Sequence, residues 1–123
     1  MASLLKAPAC FALRTKHEGK YLQSVHRRSA GGSRIEASAD AVAGNARTRF
    51  SVEASKEEDD LVHVRSCYNN KYWVPVKDSG GSRWVIGAAD EPVEDLTSPS
   101  CTLFAPTAST DQGANCIRFS LLT

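Results

Sequence analysis

A block of about fifty residues occurs twice along this chain, and that repetition constrains the fold more than any other feature of the sequence. With residues 12–25 laid over residues 63–76, Arg14 meets Arg65, Thr15 meets Ser66, Lys20 meets Lys71, Tyr21 meets Tyr72 and Val25 meets Val76, always 51 positions apart. In each copy a dipeptide suited to a tight turn, Glu18-Gly19 or Asn69-Asn70, separates two short runs of roughly alternating apolar and polar residues. Gly and Asn tolerate the positive φ that such turns require, so each copy predicts a β-hairpin. Fainter markers extend the period. Phe50 and Phe104 stand 54 apart, Val62 and Ile117 stand 55 apart, and a third unit begins near Cys116.

The segments between these markers read as strand and loop. Residues 49–52 and 61–64 predict strands on either side of Glu57, Glu58, Asp59 and Asp60, a charge run that belongs in a solvated loop. Residues 29–45 are rich in Gly, Ser and Ala and predict at most a short strand over 34–37. Trp84-Val85-Ile86-Gly87 predicts a strand after a turn-rich stretch. Residues 90–95 are acidic, interrupted by Pro92, and hold no more than one helical turn. Nothing sustains a 3.6-residue apolar period over three turns, so the expected fold is all-β.

Three such units of four short strands, wrapped about one axis, make a β-trefoil, a small closed barrel capped by hairpins. Three units need roughly 155 residues by that period. The chain has 123. The expectation is therefore an incomplete β-trefoil over residues 9–123, two units and a fraction of a third, after a short tail at residues 1–8. Open strand edges make such a chain unstable alone or dependent on strands from a partner.

Composition removes several functions. The net charge of +1 lacks the basic excess of a nucleic-acid binder. No run approaches the ~20 apolar residues that cross a bilayer, so no membrane span is expected. The N-terminus has neither the basic start nor the apolar core of a secretory signal, which predicts a cytoplasmic or nuclear location and reduced thiols. Cys10, Cys67, Cys101 and Cys116 form no Cys-x-x-Cys pair and read first as small buried apolar residues. In an oxidising compartment they could form two disulfides, with three pairings open. There is no Asp-x-Asp-x-Asp-Gly loop, Gly-x-Ser-x-Gly elbow, phosphate-cradling Gly loop before a helix, or His-Glu-x-x-His. No metal, no cofactor and no catalytic residue is expected. His63, alternating with Val62 and Val64, reads as a surface or hydrogen-bonded histidine.

Two blocks carry a family resemblance. Leu-Val-His-Val-Arg-Ser-Cys-Tyr-Asn-Asn-Lys-Tyr-Trp-Val (61–74) resembles the amaranthin-type plant agglutinin domain. So does Ala-Ala-Asp-Glu-Pro-Val-Glu-Asp (88–95), followed by Ser-Cys-Thr-Leu-Phe (100–104). The likeness runs from about Ala9 to Leu122. It implies a β-trefoil lectin, usually leaderless and nucleocytoplasmic, found in tandem, as a homodimer or fused to defence modules. It also implies a glycan partner of the T-antigen type, galactose linked to N-acetylgalactosamine. The sequence departs from the family where the loop before the strand Trp reads Asp78-Ser79-Gly80-Gly81-Ser82-Arg83.

A sugar site needs an aromatic face for the C–H side of the pyranose and polar groups for its hydroxyls. Trp84 beside Asp78, Ser82 and Arg83 offers those types, with Trp73 and Asn70 as further candidates. Each has a structural alternative. Trp84 and Trp73 suit hairpin packing, Trp73 standing where the first unit has Leu22, and Asn70 suits a turn. The altered loop also admits a protein-interaction module that has lost sugar binding.

Overall fold

A computed structural model describes residues 10–15, 19–27, 32–77, 80–81, 83–111 and 114–120. Eight strands account for most of them: β1 (Tyr21–Arg27), β2 (Gly32–Ala39), β3 (Phe50–Ala54), β4 (Val62–Ser66), β5 (Lys71–Lys77), β6 (Arg83–Ala89), β7 (Leu103–Asp111) and β8 (Ala114–Ser120). The only helical element among the described residues is a 3-10 turn, Ala46–Thr48, before β3. The protein is all-β, with its strands in one curled sheet. Their order is β1-β2-β6-β5-β4-β7-β8, and β3 pairs with β4.

The sequence repeat is a repeat of hydrogen-bond register. Phe11 bridges Phe50 and Arg14 bridges Tyr21; in the second copy Val62 pairs with Phe104 and Arg65 with Tyr72. The β1–β2 ladder slips between Tyr21 and Leu22, and the β5–β6 ladder slips at the equivalent step between Tyr72 and Trp73. Val52 opposite Val64 on β3–β4 recurs as Pro106 opposite Phe119 on β7–β8. The turns match as well. The Gly19 N–H donates to the Thr15 carbonyl and the Asn70 N–H to the Ser66 carbonyl, with φ of 69° and 59° at the two turn residues. Each turn thus places at the left-handed position one of the residue types that adopts it at least cost. Ion pairs close both hairpins at their bases, Lys20 with Asp40 and Lys71 with Asp90.

The core lies where the two units meet. Phe50, Val62, Val64, Trp73 and Phe104 form its buried cluster, with Phe11, Leu13, Leu22, Ile35, Val52 and Val85 packed against it. Trp73 sits edge-on to Phe50 at 5.2 Å and to Phe104 at 6.0 Å, the favoured geometry for aromatic pairs. Its indole N–H reaches Ser66 Oγ at 3.3 Å, and Ser66 in turn accepts from Ser24 Oγ at 3.3 Å. Opposite Trp73 stands Gly87, where the first unit pairs Leu22 with Ala37. The larger side chain faces the smaller partner.

Two expectations are corrected. β2 runs over Gly32–Ala39 rather than 34–37, because its ladder with β1 continues to both ends despite the low-complexity composition. For His63 the surface reading falls and the hydrogen-bonded one holds: the ring is buried, with Thr102 and Glu94 as its partners. Val62 and Val64 enter the core cluster, while His63 is covered by Tyr72 and by the loop residues Glu94 and Thr102, so both faces of β4 are buried and alternation carries no inside–outside signal.

Candidate functional site

The tip of the β5–β6 hairpin gathers part of the expected set. Trp84 lies opposite Val76 and Arg83 opposite Lys77, at the end where the chain turns back. Trp84 is half-buried and Arg83 exposed. The Arg34 guanidinium, from β2 of the first unit, lies 5.3 Å from the Trp84 ring centroid. That cation over the ring ties the two hairpins together where β2 and β6 pair. The Trp84 indole N–H is buried and has no hydrogen-bond partner among the described residues. Asp78 and Ser82 lie outside the described residues.

The other two candidates are elsewhere. Trp73 is 3% exposed, and the core covers its ring, which leaves no face for a sugar. The packing alternative accounts for its geometry. Asn70 sits at the opposite end of β5 from Trp84's partner Val76, about 20 Å away at ~3.3 Å per residue. Its Oδ1 accepts a hydrogen bond from Arg65, and its backbone completes the β4–β5 turn. The structure therefore keeps Trp84 and Arg83 together and separates Trp73 and Asn70 from them.

A second polar arrangement went unread in the sequence. Glu94 accepts hydrogen bonds from the Ser55 hydroxyl, from the backbone N–H of Lys56 at 3.2 Å and Glu57 at 3.4 Å, and from His63 Nε2. A carboxylate only accepts, so the shared proton is on Nε2. His63 Nδ1 meets Thr102 Oγ1 at 2.7 Å, and that hydroxyl also accepts from the Val93 N–H at 2.8 Å. Burial pushes the Glu94 carboxyl up, but the hydrogen bonds from Ser55, His63, Lys56 and Glu57 outweigh it and hold the group at about 2. A Ser–His nucleophile pair needs the hydroxyl against the imidazole. Here Ser55 contacts Glu94 instead, and its oxygen accepts the Glu58 N–H at 3.0 Å. The network fastens loops.

Tyr72 also departs from an ordinary titration. Burial and then its hydrogen bond to Glu53 raise its phenol to about 12. Cys10, Cys67 and Cys101 are free thiols, and burial followed by the neighbouring Cys10 pushes the Cys67 thiol up. Among the described residues no three His, Cys, Asp or Glu side chains are grouped to hold a metal, and no helix is long and apolar enough to cross a membrane.

The comparison that decides the family is with sequence profiles: that of the agglutinin domain matches residues 5–122. The chain belongs to the agglutinin-domain family, amaranthin type. A comparison with curated proteins gave no match. The agglutinin family is a lectin family and generally non-enzymatic, so carbohydrate binding is the function its members point to. In this agglutinin domain the most exposed large aromatic described is not Trp84 but Tyr68, 46% exposed in the β4–β5 turn, with the Arg47 guanidinium 4.5 Å from its ring centroid. A tyrosine between a cysteine and two turn asparagines has no apolar partner in the pattern. That is the signal a sequence reading had available and did not use.

Proposed function

We propose that this agglutinin domain is a non-enzymatic lectin module for galactose- and N-acetylgalactosamine-containing glycans of the T-antigen type. The observation that carries the reading is the agglutinin match over residues 5–122. The hairpin tip supports it: the Trp84 ring supplies apolar area and Arg83 a polar group for hydroxyls, and in sequence Asp78 and Ser82 are the further polar candidates. The repeated register supports a β-trefoil plan spanning residues 9–123, with β8 opening the third unit. Avidity would come from a homodimer or from tandem or fused domains, since linked sites raise effective concentration without new contacts. A nucleocytoplasmic location and a defence or stress role complete the proposal. A glycan array followed by titration calorimetry tests it. Binding of galactose/N-acetylgalactosamine ligands is the expected result, and silence across them overturns it.

One observation favours a protein-docking module instead. Arg34 already occupies a face of Trp84, the face a sugar would need. On that reading partners captured by pull-down survive both competing galactose and Trp84→Ala, whereas a lectin loses glycosylated partners under either treatment.

A further inference from the structure

Tyr68 carries the Arg47 guanidinium 4.5 Å from its ring centroid, and a second exposed arginine, Arg49, follows two residues after Arg47. The Cys67 N–H donates to the Arg49 carbonyl at 2.9 Å, which sets the turn carrying Tyr68 against the segment carrying Arg47 and Arg49. Thr48, between the two arginines, is fully buried, and its hydroxyl donates to the Asn45 carbonyl at 2.7 Å. Asn45 caps the 3-10 turn through its side chain and holds Gln23 of β1 at 3.2 Å. The segment is thus pinned from below, with both arginines exposed on either side of the pin. Four cations among the described residues have a carboxylate partner: Lys20 with Asp40, Arg27 with Glu36, Arg65 with Glu53 and Lys71 with Asp90. No carboxylate pairs with Arg47 or Arg49 among the described residues. The one polar contact of the Arg47 side chain is a long one, 3.4 Å to the Ser24 carbonyl.

We propose that Tyr68, Arg47 and Arg49 form a subsite for a uronate sugar, galacturonate in particular, whose ring takes the Tyr68 face that the Arg47 guanidinium now covers at 4.5 Å, Arg47 turning off the ring to meet the carboxylate together with Arg49, a displacement for which a neutral sugar offers no charge. A pyranose uronate joins the two features that this surface presents. It has an apolar C–H face for an exposed aromatic ring and a planar carboxylate that guanidinium binds through paired hydrogen bonds. Galacturonate keeps the galactose ring configuration. The inference rests on the lectin reading and adds to it a ligand class and a second place on the domain, about one strand length from the Trp84 tip.

Calorimetry with a galacturonate tetramer, its fully methyl-esterified form, neutral galactose β1,3-N-acetylgalactosamine and poly-L-glutamate tests this. The free acid is expected to bind at least about tenfold tighter than the ester, which keeps the ring and removes the charge. That advantage should shrink severalfold between 50 and 500 mM salt, values about a threefold change in Debye length apart. Arg47→Gln/Arg49→Gln should abolish the advantage, and Tyr68→Ala should weaken the free acid about tenfold, with the circular dichroism spectrum unchanged. Acid and ester binding alike, an advantage that survives the double variant, or equal affinity for poly-L-glutamate would each overturn the proposal. If the neutral disaccharide binds and the acid does not, this subsite is wrong and the lectin reading stands. If neither binds, both fall.

Discussion

Replacing Glu94 by Gln tests the physical reading of the fold at its most heavily bonded point. The substitution keeps the shape and removes the charge that Ser55, His63 and two backbone N–H groups surround. Moving a carboxyl from its ordinary 4.5 to about 2 in the folded state corresponds to about 3 kcal/mol at neutral pH. The side chain keeps 21% of its exposure, so water screens part of this and about 2 kcal/mol is the working figure. A depressed folded value means that the contribution is fully present above pH ~5 and is lost as the pH falls toward ~2. Urea unfolding of both proteins from pH 7 down to pH 2 reads it directly. The variant should be about 2 kcal/mol less stable at pH 7, and the gap should close near pH 2. Other carboxylates titrate in the same window, but they do so in both proteins and cancel in the difference. A gap under about 0.5 kcal/mol at pH 7, or one that does not change with pH, would refute the account of the network.

Trp73→Ala should cost about 3–5 kcal/mol in urea midpoint analysis and Trp73→Leu, the residue of the first unit, clearly less, because the ring fills the space between Phe50 and Phe104. Asn70→Gly should leave stability within a few tenths of a kcal/mol, whereas Asn70→Ala should lose about 1 kcal/mol, since only the latter strains the left-handed turn position. Tyr72 should be among the last phenols to ionise when absorbance at 295 nm is followed with rising pH. Its raised value favours the folded state below pH ~10, and that contribution disappears as the pH climbs toward 12.

Much of this architecture was legible because the repeat is carried by residues with one physical job each. Gly19 and Asn70 set the turns, Lys20 and Lys71 stand at the start of the equivalent strands β1 and β5, Lys20 just before β1 and Lys71 as the first residue of β5, and the apolar spacing from Phe50 to Phe104 marks the strand that returns to its own unit. What was hidden depends on neighbours that periodicity does not encode. The burial of His63 shows only once the segment carrying Glu94 and Thr102 is in place over it; these partners are 31 and 39 residues away in sequence. β2 is written in Gly, Ser and Ala, and it becomes a strand through its ladder with β1 rather than through propensity. The candidate site divided for a similar reason. Trp73 and Trp84 are both tryptophans of one hairpin, yet one points into the aromatic cluster and the other stays half-exposed under Arg34. Asn70 is separated from Trp84 by the length of a strand, a distance that adjacency of motifs in sequence conceals.

The most direct measurement is calorimetric titration of galactose β1,3-N-acetylgalactosamine into the protein and into Trp84→Ala, each first checked for an unchanged β-sheet spectrum. A lectin organised around the hairpin tip predicts saturable binding to the parent protein and at least a tenfold loss in the variant, about 1.4 kcal/mol. No heat from the parent protein, or equal affinity in the two, would contradict it.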